Sequence, residues 1–412
     1  MSADRTPSRG SILVTGGSIA GPAAAFWLSR AGWQVTVLER WDGPRPGGQN
    51  IDVRGLARDV LDEMGLTDAV LGANTGEQGT RFVDEDGETI SEFPVTEGAG
   101  DGPTAELEVL RGELARVVVE ACPDDVTWWF GDQVIDLDQP GDRVSVTLAS
   151  GDVHDFDLVV VAEGAGSRTR GLLLDGDDAP TLKRLGMYTA YGTIPRTPED
   201  DDWWRWMSVT GSRSLSLRPD NLGTTRATLS FMSDPVDFVG LDRDGQLAVL
   251  RERFGDLGWE APRVLDAIEG SDDLYVEDLT QVMSPTWSVG RVCLLGDAAW
   301  CVTPIAGGGT SLALTGAYVL AAELARLEPG EHPSSALDAY EAWMRPLVDE
   351  IQTLPPGVPR VANPESRLGV ALFRTGTRLA ASGPVQALAG RFGGGGQGTD
   401  RTLPEMPAGV RA

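Results

Sequence analysis

The sequence predicts an α/β fold: a parallel-sheet framework that starts at the N-terminus, an antiparallel sheet inserted into it, and helices at the C-terminal end. Three observations carry this. Residues 11–39 read strand, helix, strand, with a glycine-rich turn after the first strand. Residues 187–232 then change character, to short alternating segments separated by turn residues, the pattern of an antiparallel sheet. Finally, apolar helical patterns return at 310–327, 335–354 and 366–390.

The elements follow in order. SILVT (11–15) is a buried strand, GGSIAG (16–21) the turn, AAAFWLSRAG a helix stopped at Gly32, and WQVTVLER a second strand ending at Glu39. Residues 55–71 read as a helix with Leu56, Val60, Leu61 and Met64 on one face, and 105–121 as another amphipathic helix. VTWWF, QVIDLDQ, RVSVTLAS and VHDFDLVVVA alternate or run apolar, as strands do. YTAYGTI, WWRWMSV, SLSLR and TTRATLSFM form the inserted sheet. Helical patterns at 245–254 and 261–269 precede RVCLLGDAA, a return to buried strand. FGGGGQGTD near the C-terminus reads as a linker or loop, and no internal repeat is evident.

Composition narrows the function. The 412 residues carry 62 acidic and 34 basic side chains, a formal net charge of −28. That field repels phosphate backbones and anionic lipid surfaces, so neither nucleic acid nor membrane is an expected partner. Cys122, Cys293 and Cys301 are too few and too odd in number for a disulfide framework. His154 and His332 stand far apart and no zinc-ligand spacing occurs, so no metal is expected. His154, in GDVHDFD, reads as a surface residue. MSADRTPSRG lacks the apolar core of a signal peptide, and no apolar run has the length of a membrane span. The expectation is a cytoplasmic protein, monomer or homodimer.

Three motifs carry chemistry. In GGSIAG, Gly16 and Gly21 permit a tight turn and close helix packing, and Ser18 stands at the middle position of the dinucleotide pattern, where its N–H and hydroxyl can meet a phosphate. Glu39, closing the second strand, has the spacing of an acid that binds ribose hydroxyls. In DLVVVAEGAGSRTR (157–170), a buried strand ends at Glu163-Gly164, followed by Ser167 and Arg170; taken alone this also reads as a turn. In CLLGDAAWCVTPIAGGGTSLAL (293–314), Asp297 ends a buried strand, where α/β sheets place ligands, or caps a helix. Glycines 307–309 precede a helix from about Thr310, whose first N–H groups attract negative charge; a flexible loop is the other reading of the glycine run.

These motifs, in this order, resemble the class A flavoprotein monooxygenases, the para-hydroxybenzoate hydroxylase family, which includes tetracycline-inactivating and polyketide-tailoring enzymes. The resemblance spans roughly residues 10–350. It implies a Rossmann-like FAD-binding domain built from 1–72, 103–178 and 282–345, a substrate domain from 73–102 and 179–281, and C-terminal helices and tail over 346–412. Gly16, Ser18, Ile19, Ala20, Gly21 and Glu39 then form the site for the ADP half of FAD, with Arg40 along the adenine or its ribose and Val134 on the adenine-contacting strand. Arg111 matches the arginine that leans toward the ribityl and pyrophosphate, and Glu163-Gly164 stands where the family has Asp-Gly. Gly296-Asp297 places a carboxylate on a ribityl hydroxyl. The turn Pro304, Gly307, Gly308 and Gly309 lets backbone lie against the isoalloxazine, and the helix with Thr310 and Ser311 points its N-terminus at the pyrimidine end. Asp52 and Arg54, in GGQNIDVRG, are candidates near the flavin or a passing NADPH, and equally read as a solvated loop. Trp300 stands where many relatives have histidine.

The resemblance implies that NADPH or NADH transiently reduces bound FAD and that a flavin C4a-hydroperoxide formed with O₂ hydroxylates an aromatic or polycyclic small molecule. Thr189, Tyr191 and Arg213 are the substrate-contact candidates, each with an equally good structural reading. Trp203, Trp204 and Trp206 read as sheet core or pocket wall. No residue is assigned as a catalytic base. Other chemistries on the same fold (halogenation, Baeyer–Villiger oxygenation, cyclisation over structural FAD) stay open at this point, as do a nicotinamide dehydrogenase and a flavin-free binding module.

Overall fold

The computed structural model describes residues 9–44, 48–95, 107–234, 236–328, 330–355, 357–382, 401–407 and 410. A six-stranded sheet forms its centre, in the order Ser288–Val289, Val292–Leu294, Leu158–Val161, Ser11–Thr15, Gln34–Glu39 and Thr127–Phe130. All neighbours are parallel except the first pair. Ile12, Leu13 and Val14, like Val159, Val160 and Val161, have no solvent exposure. A strand covered on both faces needs apolar side chains on both, so these segments read as continuous runs rather than alternations.

Helices Ala20–Arg30 and Gly309–Ala325 pack on each other beside this sheet. Gly316 lets the second helix sit close to the segment after Val292–Leu294: a Cβ there would sit 3.1 Å from Leu295 and from the Trp300 ring. The Tyr318 ring meets Trp27 edge-on at 5.0 Å, and the Tyr318 hydroxyl donates to Pro404 O, fixing the segment 401–407. Helix Ser334–Gln352 covers Gly309–Ala325 from outside. A three-stranded antiparallel meander, Val134–Asp138, Val144–Leu148 and Val153–Phe156, completes this layer.

The second layer is a seven-stranded sheet, in the order Tyr275–Met283, Thr181–Pro195, Thr224–Met232, Arg213–Pro219, Trp204–Val209, Gly79–Val83 and Thr89–Pro94. Only the contact of Trp204–Val209 with Gly79–Val83 is parallel. One face carries Tyr188, Ala190, Ile194, Met207, Val209, Leu215, Leu217, Leu229 and Phe231, packed on Leu250, Phe254, Val264 and Ile268 of the helices Arg243–Phe254 and Ala261–Glu269. Side chains alternate along a strand, so residues between these project from the other face, which is polar.

Three expectations need correction. The 105–121 helix starts only at Arg111; Glu108–Leu110 is instead a strand paired with Asn50–Asp52, because tertiary pairing and burial of all three residues outweigh local helix preference. The 55–71 helix is two helices, Leu56–Met64 and Thr67–Gly72, divided where Gly65 adopts a left-handed φ of 71°. Asp297 does not end the strand: Val292–Leu294 stops earlier, Gly296 turns with φ 65°, and Asp297 opens the short helix Asp297–Trp300. The C-terminal helical pattern 366–390 is met by Arg367–Ala380, while 383–390, FGGGGQGTD and residues 1–8 lie outside the described residues. Among the described residues no helix is long and apolar enough to cross a membrane, no acid, histidine or cysteine cluster could hold a metal, and the three cysteines are free.

Candidate functional site

A cleft of about 270 Å³ runs along the ends of the parallel strands, the edge at which open α/β sheets bind ligands. Its walls join Gly16, Ser18, Ile19, Ala20, Glu39, Arg40, Arg111, Val134, Glu163, Gly164, Asp297, Gly309 and Thr310. Residues distant in sequence thus meet at one surface, as the resemblance implied for one extended cofactor.

The turn at one end is set by sterics. Gly16 has a φ of 102°, and a Cβ there would lie 2.3 Å from Ala162 O. A Cβ at Gly21 would lie 1.8 Å from Gly16 O, so the helix Ala20–Arg30 can start only with glycine at that position. Glu39 Oε2 accepts from Gly17 N at 2.6 Å and Oε1 from Trp41 N at 3.1 Å. A carboxylate has about four acceptor positions, so Glu39 holds the turn and keeps capacity for a ribose hydroxyl. Arg111 reaches across to Ser18 Oγ at 3.2 Å. Arg40 lies over the Trp41 ring at 5.4 Å.

The other end is built around Asp297. Its carboxyl borders the cleft, and burial raises its pKa, opposed by the Arg111 guanidinium. Among the described residues no group donates a hydrogen bond to it. A partly desolvated carboxylate with unused acceptor capacity fits a ligand hydroxyl, and the donor set along the cleft fits FAD: backbone N–H groups and Ser18 for phosphate, Glu39 and Asp297 for the two polyol segments. Gly307 and Gly308 both have positive φ, 68° and 77°, and a Cβ on Gly307 would meet nothing. The backbone from Gly307 to Gly309 therefore offers a bare edge, following Pro304.

Two predicted side chains are committed elsewhere. Glu163 accepts from Ser167 Oγ, Thr169 N and Thr169 Oγ1 at 2.6–3.1 Å, which fastens the loop that opens the helix Arg168–Leu173. Ser311 Oγ accepts from Arg54 N at 3.0 Å, tying the Asp52–Arg54 loop to the helix Gly309–Ala325. Asp52 and Arg54 form an ion pair at 2.9 Å. The substrate candidates divide. Thr189 and Tyr191 project from the polar face of the seven-stranded sheet, Tyr191 Oη donating to Glu277 at 3.0 Å. Arg213 belongs to the opposite face, held by Asp256 and by the carbonyls of Thr210 and Arg253. It shares no surface with the other two, because alternation along Arg213–Pro219 puts it on the side of Leu215 and Leu217. Trp204 and Trp206 lie 5.0 Å apart, with Arg218 over Trp204 and Phe82 against Trp206, as wall aromatics.

Asp132, Gln133 and Arg168 also line the cleft, and Glu277 lies close enough to feel the charges of Asp297 and Arg111. None was a sequence candidate: Asp132 and Gln133 lead into the meander, Arg168 opens the helix Arg168–Leu173 within the second motif, and Glu277 comes from the strand Tyr275–Met283. Sequence reasoning also missed a buried ionic cluster beneath the 50–54 loop. Arg218 pairs with Glu77 at 2.9 Å and Glu108 at 3.1 Å, and Glu108 accepts from Thr75 Oγ1 and Asn50. Asn50 also donates to Pro219 O, so the cluster joins the cofactor layer to the seven-stranded sheet.

Burial pushes the Glu108 carboxyl up to about 8, opposed by the Arg218 charge and reinforced by Glu77. A glutamate in the unfolded chain titrates near 4.5, so between there and about 8 the folded state holds the extra proton. The stabilisation from that proton is fully present below the window and is lost as pH rises through it. Glu108→Gln should therefore flatten the fall in stability across this range, read as urea midpoints at a series of pH values; equal slopes would contradict it.

The comparisons with known proteins agree with this geometry. A family model described as an FAD binding domain matches residues 9–353. The flavin-dependent monooxygenase eupH of Phoma sp is 35% identical, over 92% of this chain and 94% of its own. A flavin-dependent monooxygenase of Legionella longbeachae is 33% identical, over 83% of this chain and 86% of its own. The crystal structure of the tetracycline destructase Tet(51) matches with a TM-score of 0.79 and 28% identity, covering 97% of this chain and 100% of that one.

Proposed function

The chain belongs to the FAD-binding domain family and is an FAD-dependent monooxygenase, and from that premise we propose that it hydroxylates an aromatic or polycyclic small molecule, of the polyketide or tetracycline kind, using O₂ and NADPH or NADH. The observation that carries this reading is the meeting of two surfaces. A cleft bordered by Asp297, whose carboxyl receives no hydrogen bond among the described residues, lies beside a sheet whose inner face is polar and aromatic-walled. The similarity to a tetracycline destructase supports the polycyclic class.

When bound, FAD supplies the hydride acceptance and the oxygen chemistry. This chain's residues do the rest. The segments 1–72, 103–178 and 282–345 hold the cofactor: Gly16–Gly21 and Ser18 the pyrophosphate, Glu39 and Arg40 the adenosine end, and Arg111 and Asp297 the ribityl chain. The N-terminus of Gly309–Ala325 contributes positive potential at Gly309 and Thr310, where negative charge is best placed. Segments 73–102 and 179–281 cover the reacting end and exclude water, which strengthens every electrostatic contact there.

The visible spectrum of the purified protein tests the reading. A flavin spectrum that bleaches anaerobically with NADPH, faster with aromatic ligands, is the expected result. A protein that stays colourless after FAD is added overturns it. A flavin that never bleaches with NADPH or NADH overturns the redox part.

A further inference from the structure

The helix Arg367–Ala380 carries apolar side chains on two sides, and the fold uses only one of them. On the inner side Val370 is buried, the Phe373 ring meets Phe82 edge-on at 5.5 Å, and Arg374 pairs with Glu85. Leu368, Leu372 and Leu379 recur at the spacing of another helix face, and they are 70%, 64% and 63% exposed. Single exposed leucines are ordinary, whereas a stripe of them marks a contact surface. Arg367 and Arg378, about three turns apart, run beside the stripe and form no ion pair among the described residues. Residues 366–382 contain no acid, in a chain whose net charge is −28. A cationic, apolar face calls for an anionic, apolar partner.

The molecule itself presents such a surface. The segment 234–244, which follows the strand Thr224–Met232, holds four aspartates against one arginine. That arginine, Arg243, donates to the carbonyls of Ile268, Glu269 and Ser271. Val236, Val239 and Leu241 are exposed large apolar side chains of the same segment. Their backbone is held from beneath: Phe238 is buried 5.4 Å from the Phe231 ring, and the Tyr188 hydroxyl donates to Val236 O at 3.1 Å and accepts from Val236 N at 2.9 Å. The two patches are neighbours. Gly211 N and Ser212 N donate to Glu365 O and Pro364 O at 2.8 and 3.2 Å, just before the helix Arg367–Ala380, and Met232 N donates to Ser212 O at 2.9 Å, just before the acidic segment.

Adjacent patches of opposite sign are self-complementary under a two-fold rotation, which brings the basic patch of each copy onto the acidic patch of the other and closes the contact. We propose that this end of the seven-stranded sheet is the interface of a homodimer. Leu368, Leu372 and Leu379 of one protomer pack against the partner's Val236, Val239 and Leu241, and Arg367 and Arg378 face the partner's aspartates. The acidic neighbour speaks against the other anionic surface, because a lipid headgroup layer drawn to Arg367 and Arg378 would meet four aspartates beside them. The overall charge opposes pairing only weakly, since at physiological salt the Debye length is about 8 Å and distant acids are screened.

Sedimentation velocity of the full chain with FAD, over a series of concentrations, tests this. Wild type should be a dimer that dissociates on dilution. Two charge-reversal variants are compared, Arg367→Glu with Arg378→Glu and Asp234→Lys with Asp244→Lys. Each alone should weaken dimerisation by roughly tenfold or more, as should Leu368→Ser with Leu372→Ser. An equimolar mixture of the two charge variants should restore it, because each protomer of the mixed pair brings the sign that the other lacks; damage to the fold would not be repaired by mixing. Every variant should keep the absorption spectrum of wild type, so the outcome is independent of the monooxygenase reading. A wild type that stays monomeric, variants that dimerise as wild type does, or a mixture no better than its two parents overturns the inference. A monomeric wild type that co-sediments with vesicles of phosphatidylglycerol and phosphatidylcholine overturns it in favour of lipid.

Discussion

Arg218→Met should destabilise the protein by about 3–5 kcal/mol, the cost of removing the cation from a buried ionic cluster. Arg218 is the shared partner of Glu77 and Glu108, two carboxylates whose side chains are 0% and 1% exposed. Without it, the buried Glu77 carboxylate loses its Arg218 partner with little solvent access, and Glu108, which holds its proton below about pH 8, already has one oxygen with no hydrogen-bond partner among the described residues. Methionine fills much of the arginine stem's volume and its contact with Trp204, so the loss reads charge rather than packing. Urea denaturation of wild type, Arg218→Met, and Arg218→Met combined with Glu77→Gln and Glu108→Gln measures this. The triple variant should recover most of the stability, because a neutral network no longer needs the cation. A single-variant loss below about 1 kcal/mol, the range of a surface pair, would show the cluster to be solvated.

Asp297→Ala should weaken FAD binding by about 1.5–3 kcal/mol, roughly ten- to hundredfold, the range for a hydrogen bond to a charged group. The basis is that this carboxyl borders the cleft and receives no hydrogen bond from the described residues. Asp297→Asn keeps an acceptor oxygen and should lose less. The pH dependence has a definite sign. Burial raises the Asp297 carboxyl, and a donated ligand hydroxyl favours its ionised form, so bound FAD lowers that pKa and affinity falls as pH drops through the raised value. Flavin-fluorescence titration of the apoprotein at several pH values reads both effects. Equal affinities in wild type and Asp297→Ala would remove Asp297 from the site.

The cofactor end of this protein was written in its sequence because it is made from consecutive residues under steric constraint. Gly16 and Gly21 can be read without a structure, since the turn they permit tolerates no Cβ, and Glu39 follows from the fixed length of one strand–helix–strand unit. The run 293–314 likewise showed a carboxylate and a bare turn between two apolar elements, although the strand ended earlier than the pattern implied. What only the tertiary structure decided depends on which strands lie side by side. Glu108 looked helical until pairing with Asn50–Asp52 placed it beneath Arg218. Arg213 and Thr189 were equal candidates in sequence, and the two-residue period of the sheet separated them onto opposite faces. The polar row Ser208, Ser214, Ser230, Thr189 and Glu277 draws single residues from five strands. Its order is set by backbone register, a property of strand pairing that no local pattern encodes.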